Sequence, residues 1–282
     1  MDTAHAFLGQ FTTLIVRIGR SHDALRRSCG QDSVHNFRVT CRRLREVLRV
    51  VQSVNPTSSI LKTIRDLRAT RSAWGPVRDL DVLALRLSRS RSTSGLSPIT
   101  QSFLKRYLDK ERRILVNRIR KGNRWKASST LRASCQHVLQ DSRPWILRFS
   151  LRRSLLRHWT KQLACVMQCD GRHVHDWHAV RIAIKRLRYL SECFDSEAVP
   201  RIHGIIRSTR GVQERLGVFH DHLCEAEYFG KLLENPPSSL HQPEVTTDMQ
   251  AYRARVQQAA KRELVEVQRH WTLFQHSIEA FG

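Results

Sequence analysis

The chain has 282 residues, of which 40% are hydrophobic, enough to build the core of one large domain or two small ones. Its 49 lysines and arginines against 25 acids give a formal net charge of +24, which excludes an ordinary neutral surface and predicts a polyanionic partner. The longest apolar runs fall short of the roughly 18 residues of a membrane span, and the opening MDTAHAFLGQ lacks the basic segment of a secretory leader. No membrane insertion is therefore expected, and a cytoplasmic location is.

Glycine (12) and proline (8) are scarce, no stretch sustains strict alternation, and long segments repeat apolar residues every three or four positions. The sequence predicts an all-α fold. In chain order the expected helices are 3–28, 33–53, 57–90, 98–121, 144–168, 174–195, 199–233 and 245–279. Breakers separate them at Asn55-Pro56, Ser94-Gly95 to Pro98, Gly122-Asn123, Asp170-Gly171 and Pro236-Pro237. Residues 122–143 are mixed in character and read as a linker with a short helix. The remaining helices fall into two groups of four, which predicts two four-helix bundles.

An internal repeat supports that division. The run from His35 to Arg45 and the run from His178 to Arg188 both read H-x-x-R-[VI]-x-x-[RK]-R-L-R, offset by 143 positions. Downstream, Trp74-Gly75-Pro76-Val77-Arg78-Asp79 aligns with Leu216-Gly217-Val218-Phe219-His220-Asp221, offset by 142, and Arg65 and Arg68 align with Arg207 and Arg210. The expected repeats are 3–121 and 144–279. Charge is unequal: 28 basic and 10 acidic residues in 1–141 leave +18, whereas 21 and 15 in 142–282 leave +6.

At about 100° per residue, His35, Arg38, Arg42, Arg45 and Arg49 share an arc of about 80°. Val34, Phe37, Cys41, Leu44, Leu48 and Val51 take another side. In the repeat, His178, Arg181, Lys185 and Arg188 form the stripe, with Trp177, Ile184, Leu187 and Phe194 on the apolar side. A solvated face would interleave acids, because like charges one turn apart repel. Only Glu46 intrudes on the first stripe, and Glu192 ends the second. The stripes therefore read as polyanion-binding faces. The basic residues are 40 Arg and only 9 Lys, and arginine's planar fork suits oxyanions.

Other features are weaker. Seven cysteines without a CxxC pair read as free thiols, several of them core residues. Fourteen histidines show no HExxH or zinc spacing, and His35 and His178 read as anion contacts in preference to metal ligands. Gly75 and Gly217 read as close-packing points between helices. Asp79, Asp81 and Asp221 read as partners of neighbouring arginines in preference to catalytic carboxylates. No phosphate-binding loop, nucleophile elbow or dinucleotide loop is present in the sequence.

The paired H-x-x-R helices, with G-P-V-R-D-L-D-V-L after the first and Q-E-R-L-G-V-F-H-D after the second, resemble the CHAD family, the conserved histidine α-helical domain, over roughly 5–275. The resemblance implies two four-helix bundles related by a pseudo-two-fold axis around a central basic cleft or pore that binds inorganic polyphosphate. It implies His35, Arg38, Arg42, Arg45, His178, Arg181, Lys185 and Arg188 as cleft residues, with Arg65, Arg68, Arg207 and Arg210, which align between the halves, as weaker candidates; Arg49 is a candidate from its place on the stripe. The chain departs from that pattern where His220 replaces the Arg78 equivalent and His222 stands in place of leucine.

The function expected is therefore polyphosphate binding by a targeting or scaffolding module, with polyphosphate granules as the place of association. No enzyme activity and no cofactor are expected, since phosphoryl transfer usually needs carboxylate-held Mg²⁺. The alternative partner is nucleic acid. Against it, the chain is only 7% aromatic and the stripes carry no stacking platform.

Overall fold

In a computed structural model, residues 3–89, 95–122, 125, 128–148, 151–169, 174–194, 200–237 and 242–279 are described. The expected breaker Asp170-Gly171 lies outside them. Among the described residues every regular element is an α-helix: α1 Thr3–Arg27, α2 Gln31–Val54, α3 Ser58–Ala73, α4 Gly75–Arg89, α5 Pro98–Lys121, α6 Leu131–Arg148, α7 Leu151–Met167, α8 Val174–Ser191, α9 Pro200–Glu234 and α10 Pro243–Glu279. The all-α expectation is met.

Two expected boundaries are corrected. The single helix 57–90 is broken at Trp74 (φ −85, ψ 5), and α4 restarts at Gly75-Pro76. Proline there costs no helical bond, because the first-turn N–H groups have no intrahelical partner anyway. At the other end of α3, the Thr57 hydroxyl accepts from the Ile60 N–H and caps the helix. The second correction concerns the linker 122–143. Most of it is α6, whose Leu131, Cys135, Val138, Ser142 and Ile146 are all buried. That spacing is one helical face, interrupted only by a serine that accepts a hydrogen bond from Asn55 Nδ2 at 3.2 Å.

The chain divides into two compact units. The first comprises 1–75, 118–209 and 277–282, and the second 76–117 and 210–276. Each draws on both halves of the sequence, so the grouping does not follow 3–121 and 144–279. Within the first unit, α2 packs against α1, α3, α6, α7 and α8, and α7 packs along α8. The apolar sides expected for the two motif helices are the ones buried: Val34, Phe37, Cys41, Leu44, Leu48 and Val51 on α2, and Trp177, Ile184 and Leu187 on α8, with Phe194 just beyond it. Cys41, Cys135 and Cys193 are buried free thiols, as expected of core cysteines.

The second unit has its own core. Leu80, Leu83 and Leu87 of α4 meet Leu104 and Leu108 of α5, Ala226, Phe229 and Leu232 of α9, and Val245, Met249, Tyr252 and Val256 of α10. A polar network crosses it. Arg86 Nε donates to Glu225 Oε2 at 2.7 Å, Tyr252 Oη donates to Glu225 Oε1 at 2.6 Å, and Arg86 Nη2 meets His222 Nδ1 at 2.6 Å. Burial, then the nearby Arg86 charge, pushes His222 down to about 4, so it stays neutral at physiological pH.

Of the two glycines expected at close-packing points, Gly75 fits: a Cβ there would stand 3.2 Å from Arg38 Nη1. Gly217 does not. It sits inside the continuous helix α9, and a Cβ there would meet nothing within 4 Å. Glycine in a helix interior costs about 1 kcal/mol relative to alanine. Gly217→Ala is therefore expected to raise the unfolding free energy by about 0.5–1 kcal/mol, read by chemical denaturation.

Candidate functional site

The basic residues of both motif helices lie in the first unit, together with α3 and the start of α9. On α2, His35 is exposed, Arg38, Arg42 and Arg49 are half-buried, and Arg45 is buried, with 8% of its surface accessible. On α8, His178 is exposed and Arg181, Lys185 and Arg188 are half-buried. Arg65 and Arg68 of α3 and Arg207 of α9 are exposed. Arg210 falls in the second unit, where its Nε lies 3.1 Å from Glu214 in an exposed pair.

Several of these arginines are fixed by the protein itself. Arg38 Nη1 donates to the Arg71 carbonyl at 2.9 Å, bridging α2 to the end of α3. Arg49 Nη1 donates to both oxygens of Glu46, at 2.9 and 2.8 Å. Glu46 is 6% exposed and also faces Arg186 Nε of α8 at 3.7 Å. In the opposite direction, Arg43 of α2 reaches Glu192 just beyond α8 at 3.0 Å, lies over the Tyr189 ring, and shares Glu192 with Gln10 of α1. Arg43 and Arg186 are the same position of the repeated motif. Both lie outside the stripes, and each crosses to an acid on or just beyond the other motif helix.

Burial and mutual repulsion make this cluster electrostatically costly. Burial first, and Arg49 next, pull Arg45 down to about 10, opposed by Glu46, with Arg71 and Arg186 adding to the repulsion. Arg71 is lowered by burial, then by Arg42, with Arg68 also contributing. The buried Nε groups of Arg43, Arg45 and Arg71 have no hydrogen-bond partner. Burial, then Arg181 and Lys185, lower His178 as well, which favours the neutral imidazole.

Arg71 escaped the sequence reading. It continues Arg65 and Arg68 at three-residue spacing, but its counterpart in the second half is Gln213, so aligning the halves passed over it. The spacing alone would have found it.

One of the three aspartates weighed as catalytic groups is accounted for by its packing. Asp81 is fully buried and accepts from Arg112 Nε at 2.6 Å within the second unit, the structural pairing expected. Among the described residues no three His, Cys, Asp or Glu side chains gather in a metal-holding group. No described helix is long and apolar enough to cross a membrane. What the first unit offers chemically is a set of fixed guanidinium donors, some with N–H groups still to be satisfied. That arrangement suits an oxyanion with many acceptor atoms.

A family model described as CHAD domain matches residues 11–230. Among solved structures, the chain is similar to the crystal structure of the CHAD domain from the plant Ricinus communis. The TM-score is 0.72 at 19% identity, covering 96% of this chain and 92% of that one. It is also similar to PptA from Streptomyces chartreusis, with a TM-score of 0.70 at 15% identity, covering 96% of this chain and 100% of that one. No curated protein sequence matches it.

Arg45 tests the electrostatic reading of this cluster. Replacing a buried cation hemmed by cations with an apolar side chain of similar length is often neutral or stabilising. Arg45→Met is expected to leave the unfolding free energy unchanged or raise it by about 1 kcal/mol, measured by denaturation without a polyanion present.

Proposed function

This chain belongs to the CHAD domain family, and on that premise we propose that it binds inorganic polyphosphate through the arginine-rich faces of α2, α3 and α8. One observation carries the reading: Arg45 and Arg71 are held in a cluster of like charges with buried, unpartnered Nε groups. Leaving such donors unsatisfied costs about 1–3 kcal/mol each. A phosphate chain supplies what the cluster lacks, repeated negative charge and acceptor oxygens at close spacing. Arg38, Arg42, Arg68, Arg181 and Lys185 grip the chain through charge-assisted hydrogen bonds, and the release of its counterions drives capture.

The protein acts as a binding module and not as an enzyme. Its donor set is cationic, and the buried carboxylates Glu46 and Asp81 are each committed to arginine. Such a module would target or scaffold its partners at polyphosphate, with a cytoplasmic location at polyphosphate granules. Nucleic acid is the competing ligand, but the faces named carry no aromatic residue for base stacking.

Competition at fixed salt decides between them. Labelled long-chain polyphosphate bound to the protein should be displaced by unlabelled polyphosphate far better than by duplex DNA, single-stranded RNA or ATP at equal charge. Equal displacement by DNA transfers the reading to nucleic acid. Replacing Arg38, Arg42, Arg181 and Lys185 together by alanine should weaken binding by at least about a hundredfold and flatten its salt dependence, with the fold retained. The same mixtures should release no phosphate when Mg²⁺ is added.

Binding should also take up protons. His178 is held down in the free protein by burial and by Arg181 and Lys185. A phosphate chain beside it offsets those cations and raises its pKa in the complex. The gain in affinity is complete below the lowered free-state pKa and disappears as pH rises through the higher bound-state value. Affinity should fall from mildly acidic to mildly alkaline pH, and His178→Gln should remove part of that slope, read by titration calorimetry in buffers of different ionisation heat.

A further inference from the structure

We propose that Arg157 and Lys161 of α7, which lie outside the repeated motif, form a further polyphosphate-binding face that continues the α2 stripe beyond Arg49. The inference rests on the polyphosphate reading above. α7 carries Arg152, Arg153, Arg157 and Lys161 and no acid. Cations one turn apart on a helix repel, and a face serving only solubility would interleave acids. Arg157 and Lys161 are one turn apart and both exposed. Among the described residues neither is paired with an acid.

Several contacts place them at the end of the α2 stripe. α7 packs against α2 and along α8. Gln162, next to Lys161, accepts from Arg186 Nη1 of α8 at 3.3 Å, and Arg186 Nε stands 3.7 Å from Glu46 Oε1 on α2. His158, next to Arg157, is half-buried at the same place. Burial lowers it first, Glu46 opposes that shift, and Arg49, Lys161 and Arg157 add to the lowering. The cations of α7 and the last cation of the stripe thus act on one imidazole. At that end the motif helices have little free charge to offer. Arg49 Nη1 bonds both oxygens of Glu46 at 2.9 and 2.8 Å, and Arg186 is divided between Gln162 and Glu46. Arg157 and Lys161 supply open charge there. An exposed cation beside a phosphate chain adds to capture by releasing a counterion.

The register of α7 provides the control. At about 100° per residue, Arg152 lies on the side of the helix opposite Lys161. Long-chain polyphosphate is titrated at several salt concentrations into wild type, Arg157→Gln, Lys161→Gln and Arg152→Gln. All three side chains are exposed, so each variant should keep its fold, checked by thermal melting. Arg157→Gln and Lys161→Gln should each weaken binding about threefold, the worth of one exposed ion pair. Each should also flatten the slope of log affinity against log salt by about one. Arg152→Gln removes the same charge and should leave affinity and slope unchanged. If wild type fails to bind polyphosphate, the polyphosphate reading itself falls, whatever the variants do. If wild type binds, and Arg157→Gln and Lys161→Gln change the slope no more than Arg152→Gln does, this side of α7 is an ordinary solvated face and the proposal is overturned.

Discussion

Glu46 is the carboxylate around which the arginines of the first unit are arranged. It is held by Arg49, faced by Arg186, and tempers the repulsion felt by Arg45 and Arg71. Its charge also reaches His158 on α7, where burial lowers the imidazole and Glu46 works against that shift. α2 is the helix that the unit packs around, so its polar side cannot be handed wholly to solvent. Placing four arginines on such a side without an acid would leave a buried run of like charge. One acid in the run makes the helix tolerable while leaving the net charge strongly positive. The positive charge of the cluster and the pairing of α2 with α8 therefore depend on the same few side chains.

The arginines divide by what they touch. Arg43, Arg49 and Arg186 are tied to carboxylates and knit α2 to α8. Arg38 is pinned on a backbone carbonyl, which fixes its place without cancelling its charge. Arg65, Arg68 and Arg207 are exposed. The first unit thus carries arginines of two kinds, those tied to acids or carbonyls and those exposed to solvent. Lysine would serve the tied set less well, since its compact ammonium lacks the planar fork that holds a carboxylate along one edge and presents donors along another.

The helical nature of the chain and the sidedness of its motif helices were legible in residue spacing. The side of α2 carrying Phe37, Leu44 and Leu48 is fully buried. The sequence also flagged Glu46 and Glu192 as the acids in or beside the stripes. What spacing could not show was their partners, because Arg186 meets Glu46 and Arg43 meets Glu192 across two helices more than a hundred residues apart in sequence. Arg45 looked like its stripe neighbours and is instead buried, since a stripe of about 80° straddles the rim of a packed helix. The helix α6 was obscured by Ser142 in an otherwise apolar face. The break before Gly75 was written in Gly-Pro, but a long apolar rhythm on both sides masked it.

The departures from internal symmetry have a physical reason that the alignment of the halves could not supply. Leu80 packs in the core of the second unit, whereas its counterpart His222 bonds Arg86 beside Glu225. A buried carboxylate there needs donors, and Arg86 and Tyr252 supply them from α4 and α10. His222, neutral through burial, can accept from Arg86 without adding positive charge next to that guanidinium. A leucine at 222 would remove the acceptor that meets Arg86 Nη2 beside the buried Glu225. The two aligned stretches thus differ where a polar network crosses the core of the second unit. The basic residues shared by the two H-x-x-R runs lie in the first unit. The resemblance between the two stretches gives way where packing in the second unit requires it.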